Sequence, residues 1–320
     1  MTTEFDIIKE YFDQPCGGVK LGIGDDAAVI SGKDGVDMVL TTDTLVSGTH
    51  FSIEDDPFKI GQKCVAVNLS DLSAMGSTPR YLLLSLTLPV FEKEWVKKFS
   101  DGIKSYLHKF SVGLIGGDTT RGDSLSITIT AIGEVAKGKG IQRDLAKPGD
   151  DVWVSGLIGL AAVGLLSKNG LFDLDSNVRN DCLERLHSPE PRVLLGERLL
   201  DLANSAIDIS DGLISDAGHI AARSKVQVEI DMFRIPIHQS LDHRRLEPDV
   251  QRCILSGGDD YELLFSAPKG SAKRLLTISN DLRLPLTNIG RIVKGSGVTV
   301  LDQNRNTVEP NCKGYDHFGK

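Results

Sequence analysis

The chain has 320 residues, 40% of them hydrophobic and 25% charged, with 44 acidic against 36 basic side chains and a formal net charge of −8. That length suits two ordinary domains, and the composition is globular rather than disordered. An acidic surplus argues against a general nucleic-acid binder, and no apolar run approaches the ~20 residues that span a bilayer, so neither nucleic acid nor membrane is an expected partner.

The opening MTTEFDIIKEYF lacks the basic and apolar regions of a secretory signal, and the expected location is cytoplasmic. The five cysteines (Cys16, Cys64, Cys182, Cys253, Cys312) are too dispersed for a zinc pattern or a dense disulfide framework. Glycine is abundant, at 33 residues, and it clusters beside carboxylates in GIGDD, IGGD, SDG and SGGDD. Glycine lets backbone approach a ligand closely, so these strings read as loops that hold something charged.

In chain order, Val36–Thr42 predicts a strand ending at Asp43. Asp56 as N-cap and Pro57 in the first turn predict a helix to about Met75, stopped by Gly76 and Pro79. Asn68 and Asp71, three apart, share one face of it. Tyr81–Leu88 is β-like and Glu94–Phe110 has helical spacing. Val112–Ile115 predicts a short strand that delivers Gly116, Gly117 and Asp118, and Ser124–Val135 is a β-branched strand. The turn Ala146–Asp150 marks a domain boundary, giving residues 1–147 and 148–320. Beyond it, Asp151–Ser155 predicts a strand and Leu157–Leu166 a helix. A strand follows around Ala206–Ile209, a helix from about Leu213, and strands at Val226–Ile230 and Tyr261–Ser266. The mixture predicts an α/β or α+β class.

Two glycine motifs mislead. Gly22–Ala27 fits G-x-G-x-x-A, but Asp25 and Asp26 would repel a phosphate, and the β-like AAVISG that follows is no helix. Gly133–Gly140 fits G-x-x-x-x-G-K without the Ser or Thr that a P-loop needs for Mg²⁺.

What remains is a series of acidic loops: Asp25-Asp26, Asp43, Asp71, Asp118, Asp208 with Asp211, and Asp259-Asp260. A single Asp after a strand is more often a turn former or a helix cap than a ligand. Asp211, just before the helix at Leu213, is the best cap candidate, and Asp71 alone reads as a solvated helix residue. If several converge, their repulsion raises their pKa values or demands cations. Hard oxygen donors select Mg²⁺, Mn²⁺ or Ca²⁺, and magnesium typically combines a few carboxylates with substrate phosphates, as in nucleotide kinases. Spacing alone does not establish convergence.

The same segments resemble the thiamine-monophosphate kinase family, in order and nearly end to end. They are GIGDDA at 22–27, TDTLVSGTHF at 42–51, VNLSDLSAMG at 67–76, IGGDTTRG at 115–122, AKPGD at 146–150, ANSAIDISDGLISDAGHI at 203–220, SGGDDYEL at 256–263 and KGYDHF at 313–318. The resemblance implies a two-domain aminoimidazole ribonucleotide synthetase-like fold, with an N-terminal mixed-sheet domain that dimerises and a C-terminal α/β domain that completes the site. It implies direct transfer of a phosphoryl group from ATP to thiamine monophosphate, with several Mg²⁺ ions carrying the chemistry and no side chain as general base. It implies a homodimer with the substrates in a groove near the subunit contact.

By the same resemblance Asp26, Thr42, Asp43, Asp71, Asp118, Asp208 and Asp211 match metal ligands. Thr41, Gly117, Asp118, Arg143 and Ser210 match nucleotide contacts, and His50, Asp259 and Tyr315 match positions near the thiamine substrate, where an aromatic ring suits a flat cation. Arg121 is a further candidate for phosphate charge. The family usually reads GGED where this chain reads GGDD, so the contact of Asp259 to the aminopyrimidine is expected to be lost or bridged by water; Thr41 replaces a common Ser with its hydroxyl kept. Two alternatives stand beside this reading: a selenophosphate synthetase-like enzyme, echoed faintly by Cys16-Gly17-Gly18, and a divalent-cation binding protein without catalysis.

Overall fold

A computed structural model describes residues 19–21, 25–26, 28–31, 34–308 and 314–315. Cys16, Cys312, Gly22, Gly24, Ala27 and all of the KGYDHF string except Gly314 and Tyr315 lie outside the described residues.

The first half alternates strands with two long helices: β1 (Val19–Leu21), β2 (Ala28–Ser31), β3 (Val36–Val46), α1 (Pro57–Ala74), β4 (Thr78–Leu88), α2 (Lys93–Phe110), β5 (Gly113–Arg121) and β6 (Ser126–Ala136). The strands form a sheet in the order β1-β2-β3-β6-β4-β5, antiparallel except for the parallel pair β4/β5. β6 alternates along SITITAI, and its Ile127, Ile129 and Ala131 are fully or almost fully buried, as a strand with one covered face requires. α1 starts as predicted, with the Asp56 carboxylate accepting from the Phe58 N–H at 3.1 Å.

The second half holds β7 (Asp151–Ser155), α3 (Leu160–Lys168), α4 (Ser176–His187), α5 (Val193–Leu199), β8 (Ser205–Asp208), α6 (Leu213–Ser224), β9 (Gln227–Asp231), α7 (Pro248–Ser256), β10 (Leu263–Ala267), α8 (Ala272–Leu282), β11 (Leu286–Val293) and β12 (Gly297–Leu301). Its sheet runs β12-β9-β11-β7-β10-β8, with β12/β9 the parallel pair. The class is α+β, built on two mixed sheets. α1 is buried along nearly its whole length because it serves both halves, packing on β3 and β6 and also on β8 and α5.

Strand ends depart from the sequence reading in informative places. β3 does not stop at Asp43 but stays paired with β6 from Val36↔Ala136 to Val46↔Ser126. Two cross-strand hydroxyl pairs extend the ladder, Thr42 with Thr130 at 3.1 Å and Thr44 with Thr128 at 2.8 Å. β5 likewise runs through Gly116, Gly117 and Asp118 as extended strand rather than ending before them. β10 begins at Leu263, later than predicted, because Asp259 (φ 69°) and Tyr261 (φ 50°) occupy left-handed backbone that breaks a strand. The G-x-G-x-x-A string leads into a strand, β2, and not a helix. In the P-loop-like segment Lys139 pairs with Asp201 at 2.6 Å.

Two glycines set the distance between α1 and α2. A Cβ on Gly61 would sit 2.3 Å from the Phe99 carbonyl oxygen, and one on Gly102 would sit 2.0 Å from that of Phe58. Gly102→Ala must push the helices apart, so we predict a loss of about 1–3 kcal/mol, in the range of overpacked cores, read as a lower urea midpoint at unchanged slope.

Candidate active site

A cleft of about 870 Å³ is walled by β3 and α1 from the first half and by β8, α3 and α7 from the second. One part of its wall is acidic, formed by Asp43, Asp71, Asp208 and Asp211. Another part is apolar, formed by Ala161, Ala162, Leu165 and Leu166 of α3 with Leu186.

The acidic part is assembled by α1. Thr41 Oγ1 donates to Asp71 at 2.6 Å and reaches the Asp26 carbonyl oxygen at 3.2 Å. Ser70, next to Asp71, donates to Asp208 at 2.6 Å, and the Asn68 side-chain carbonyl accepts from the Asp43 N–H at 3.2 Å. One turn of helix thus gathers β3 and β8 around one point, and Thr41 brings Asp26, just before β2, to it. There, one carboxylate oxygen each from Asp26, Asp71 and Asp208 lie within 4.8 Å of one another. Asp71 is therefore no solvated helix residue.

Such crowding has an electrostatic signature. Burial first, then the charges of Asp43, Asp208 and Asp26, push the Asp71 carboxyl well above the usual range. Burial and Asp26 do the same to Asp208. Asp25, beside them, is pushed up to about 6 by burial and by Asp26. A counter-charge comes from Arg143. Its guanidinium grips both oxygens of Asp26, one through Nε at 2.8 Å, and stands 3.5 Å from Asp25. The Arg143 carbonyl accepts from Ser224 at the end of α6, at 2.7 Å, which fixes the segment. Burial, with Arg143 nearby, pushes the His219 imidazole down to about 4 and so keeps it neutral. Several carboxylates against one guanidinium leave a surplus of negative charge. An oxygen-only donor set with that surplus fits a hard divalent cation such as Mg²⁺.

The SDG turn after β8 is held differently from expectation. Asp211 is not the helix cap: Gly212 takes that position, with φ 115°. The cap acceptor is Asp216, whose buried Oδ2 receives the N–H groups of Ser210, Asp211 and Gly212 at 3.1–3.2 Å. Ser210 and Asp211 are left lining the cleft.

His50, Asp259 and Tyr315 line the same cleft. His50 Nδ1 accepts from the Val46 N–H at 3.0 Å, so in the neutral ring Nε2 carries the proton. The Tyr315 backbone N–H donates to the Asp211 carbonyl at 3.0 Å, which ties the far end of the described chain to the cleft. Asp259 accepts from Lys63 at 2.9 Å and from the Tyr261 hydroxyl at 3.0 Å.

Other expected site residues are not gathered by the single chain. Thr42 lines the cleft but is exposed, and its hydroxyl bonds to Thr130 and to the Ile129 carbonyl. Gly117, Asp118 and Arg121 lie on exposed β5. Gly117 pairs with Leu84, Leu84 with Ile129 and Ile129 with Asp43, so three interstrand steps, roughly 14 Å along the sheet, separate Gly117 from Asp43.

Comparison with known proteins bears on this geometry. Family models of the AIR synthase related protein match the chain twice, the N-terminal domain over residues 24–135 and the C-terminal domain over 147–303. A thiamine-monophosphate kinase of Escherichia coli K12 is 42% identical over 320 residues, covering 98% of both chains. The chain belongs to the thiamine-monophosphate kinase family. The crystal structure of a thiamine-monophosphate kinase from Stenotrophomonas maltophilia K279a is 45% identical, with a TM-score of 0.80 over 89% of this chain and 91% of that one. A structure of AaThiL complexed with AMPPCP and TMP is 32% identical, with a TM-score of 0.85 over 99% and 97%.

Within this thiamine-monophosphate kinase fold, several residues at the cleft escaped sequence reasoning. Asn68 was placed on the face of Asp71 without a partner, and Ser70 was passed over; both proved to be the hydrogen-bonding links from α1 to the acidic strands. Asp216 had a visible signal, an acid in the first turn of a predicted helix. Lys63 had none, since a lysine one turn before a buried stretch reads as a surface charge.

The raised carboxyl groups set the sign of a stability effect. A carboxylate whose folded pKa lies above its unfolded value stabilises the fold at low pH and loses that contribution as pH rises through the folded value. Without divalent cations at neutral pH, Asp71→Asn removes one repelling charge, and we predict a melting temperature about 2–4 °C higher than wild type, the size of a ~1 kcal/mol gain. Added Mg²⁺ is expected to raise the melting temperature of wild type more than that of the variant, in scanning calorimetry with and without chelator.

Proposed function

We propose that this chain transfers the γ-phosphoryl group of ATP directly to the phosphate of thiamine monophosphate, giving thiamine diphosphate and ADP. The observation that carries the reading is the convergence of Asp26 with Asp71 and Asp208, two carboxylates that line the cleft, in a chain whose relatives across its full length are thiamine-monophosphate kinases. Asp26, Asp71 and Asp208 are the core of a Mg²⁺ site that Asp43, Asp211, Thr42 and Asp118 extend. When bound, the ions supply charge neutralisation at the β- and γ-phosphate oxygens and hold them for in-line displacement.

The chain's own side chains orient that site. Thr41 and Ser70 donate to Asp71 and Asp208 and fix which carboxylate oxygens face the cleft. Arg143 holds Asp26 and offsets part of the acidic charge that would repel a triphosphate. Ser210 with Gly117 and Asp118 are assigned to the nucleotide, and His50, Asp259 and Tyr315 to the acceptor. No side chain is assigned as general base: the attacking group is a phosphate oxygen that is largely ionised near neutral pH, its second pKa being about 6. The apolar wall of α3 offers a dry surface to the acceptor's rings.

We further propose that the enzyme is a cytoplasmic homodimer with domains at 1–147 and 148–320. Among the described residues no helix is long and apolar enough to cross a membrane. β5 is exposed along eight of its nine residues, and Tyr81, Leu83, Leu114 and Ile115 on the paired strands β4 and β5 are 36–58% exposed. Such an edge and apolar surface favour pairing with a second copy. In that arrangement β5 of one copy presents Gly117 and Asp118 to the acidic cleft of the other.

Purified protein with ATP, Mg²⁺ and thiamine monophosphate is expected to yield thiamine diphosphate and ADP; no ADP with this acceptor, but ADP with another, would overturn the substrate assignment. Asp71→Asn and Asp118→Asn are each expected to lower kcat by about 100-fold or more while the circular dichroism spectrum stays native. When the two variants are co-expressed at equal levels, half of the dimers are mixed and each mixed dimer regains one intact site, so activity should return to about a quarter of wild type. Activity no higher than that of the separate variants would show that Asp118 serves its own chain's cleft.

A further inference from the structure

Lys63 is 3% exposed, in the middle of α1, on the wall of the cleft. Lysine is rarely buried to this degree without a partner, because its ammonium loses hydration that only a close anion or several acceptors replace. Its Nζ has two partners from distant parts of the chain: Asp259 Oδ2 at 2.9 Å and the His50 carbonyl oxygen at 3.2 Å. Both belong to segments assigned above to the acceptor, so one ammonium ties the SGTH turn and the SGGDD loop to the central helix.

The geometry at the far end of this link is strained. Asp259 has a φ of 69° and Tyr261 a φ of 50°, conformations that cost of order 1–3 kcal/mol in a residue with a side chain. The loop is held there by Asp259 N–H on the Ser210 carbonyl at 2.9 Å, by Tyr261 N–H on the Ile209 carbonyl at 2.8 Å, and by the Tyr261 hydroxyl and Lys63 on the two carboxylate oxygens. A pair kept for stability alone has an obvious substitute, since apolar replacement of a buried ion pair is often neutral or stabilising. What apolar side chains would not do is aim a carboxylate at the cleft and cancel its charge. The Asp259 side chain is 30% exposed and lines the cleft, and each of its oxygens keeps a further lone pair for a ligand donor.

We propose that Lys63 is a positioning residue that determines affinity for the phosphoryl acceptor, by holding Asp259 in its strained conformation and by offsetting its charge against the anionic acceptor. The inference rests on the kinase reading given above. With Lys63 in place, Asp259 accepts a hydrogen bond from an amino group of the acceptor, through a bridging water where its shorter side chain falls short, without adding net negative charge to an already acidic cleft. Without Lys63, the carboxylate repels the acceptor's phosphate and is free to leave its position. Asp26, Asp71, Asp208 and Arg143, on the nucleotide side, share no hydrogen bond or ion pair with Lys63 or Asp259 among the described residues, and nucleotide binding is expected to be unaffected.

The test is initial-rate kinetics with each substrate varied in turn, on wild type, Lys63→Met, Lys63→Arg, Asp259→Asn and the double variant Lys63→Met/Asp259→Asn. Loss of one charged hydrogen bond corresponds to about a tenfold effect, and the expected result for Lys63→Met is that increase in the KM for thiamine monophosphate, with the KM for ATP and kcat within about twofold of wild type. Lys63→Arg should recover most of the loss. The double variant should be no worse than Lys63→Met, because the two residues act as one unit.

A Lys63→Met protein that melts lower yet keeps its acceptor KM would reduce Lys63 to a structural role and overturn the proposal, as would an equal rise in both KM values or losses that multiply in the double variant. If Lys63→Met does not fold, Lys63→Gln and Asp259→Asn carry the same reading: a raised acceptor KM in both supports it, and an unchanged one in either overturns it. An active wild type with an indifferent Lys63→Met defeats this inference alone; a wild type that does not phosphorylate thiamine monophosphate defeats the kinase reading and this inference with it.

Discussion

Everything at the cleft depends on a helix that buries polar groups between two sheets. An ordinary amphipathic helix shows one apolar stripe to one core, and its polar residues face water. α1 has no face of that kind. Lys63, Asn68 and Ser70 are all below 4% exposed, and with Asp71 they spend their hydrogen-bonding capacity on partners outside the helix or one turn back. An unpaired polar group in such a place costs roughly 1–3 kcal/mol, so each bond is both a structural requirement and a positional restraint. The sheets are thereby locked in the one arrangement that satisfies the helix, and that arrangement makes the carboxylates converge.

The convergence runs against electrostatics, and the fold accepts that. Asp26, Asp71 and Asp208 would separate in water, and burial together with neighbouring carboxylates holds the Asp71 and Asp208 carboxyls well above the usual range. Arg143 and the hydroxyl donors Thr41 and Ser70 offset part of this, leaving a remainder that a cation cancels. The site is therefore unfavourable in charge, a feature typical of sites where stability is given up for binding. Lys63 and Asp259 play the opposite part: a neutral pair at the acceptor end, where further negative charge would work against an anionic substrate.

How much of this was legible in the sequence varies with the physics involved. Element types came through wherever the signal was local: α1 announced itself by Asp56-Pro57, β6 by its β-branched residues, β7 by its place just beyond a Pro-Gly turn. Strand ends did not, because Asp43 and Asp118 look like loop residues when the cross-strand partners that continue the ladder, such as Thr130, are dozens of positions away. Candidate ligands were recognisable as glycine-flanked acids and by the order of their motifs. Their convergence was not, since it is a property of how α1 packs. Asp211 as a cap is a sound local argument defeated by the next residue, Gly212, whose permissive backbone lets Asp216, four residues further on, reach back. Lys63 was invisible for a simpler reason: nothing in its neighbours distinguishes a buried ammonium from a surface one.

The open edge of β5 also shapes the life of the newly made chain. A nine-residue strand paired on only one side among the described residues is a template for any extended segment, native or not. Until that side is covered, the polypeptide carries an adhesive seam, and the rate at which it finds a correct match against the rate at which it meets another unfolded chain decides yield. High synthesis rates and elevated temperature favour the wrong encounter, so slow production in the cold, or a chaperone that shields extended edges, is the natural remedy.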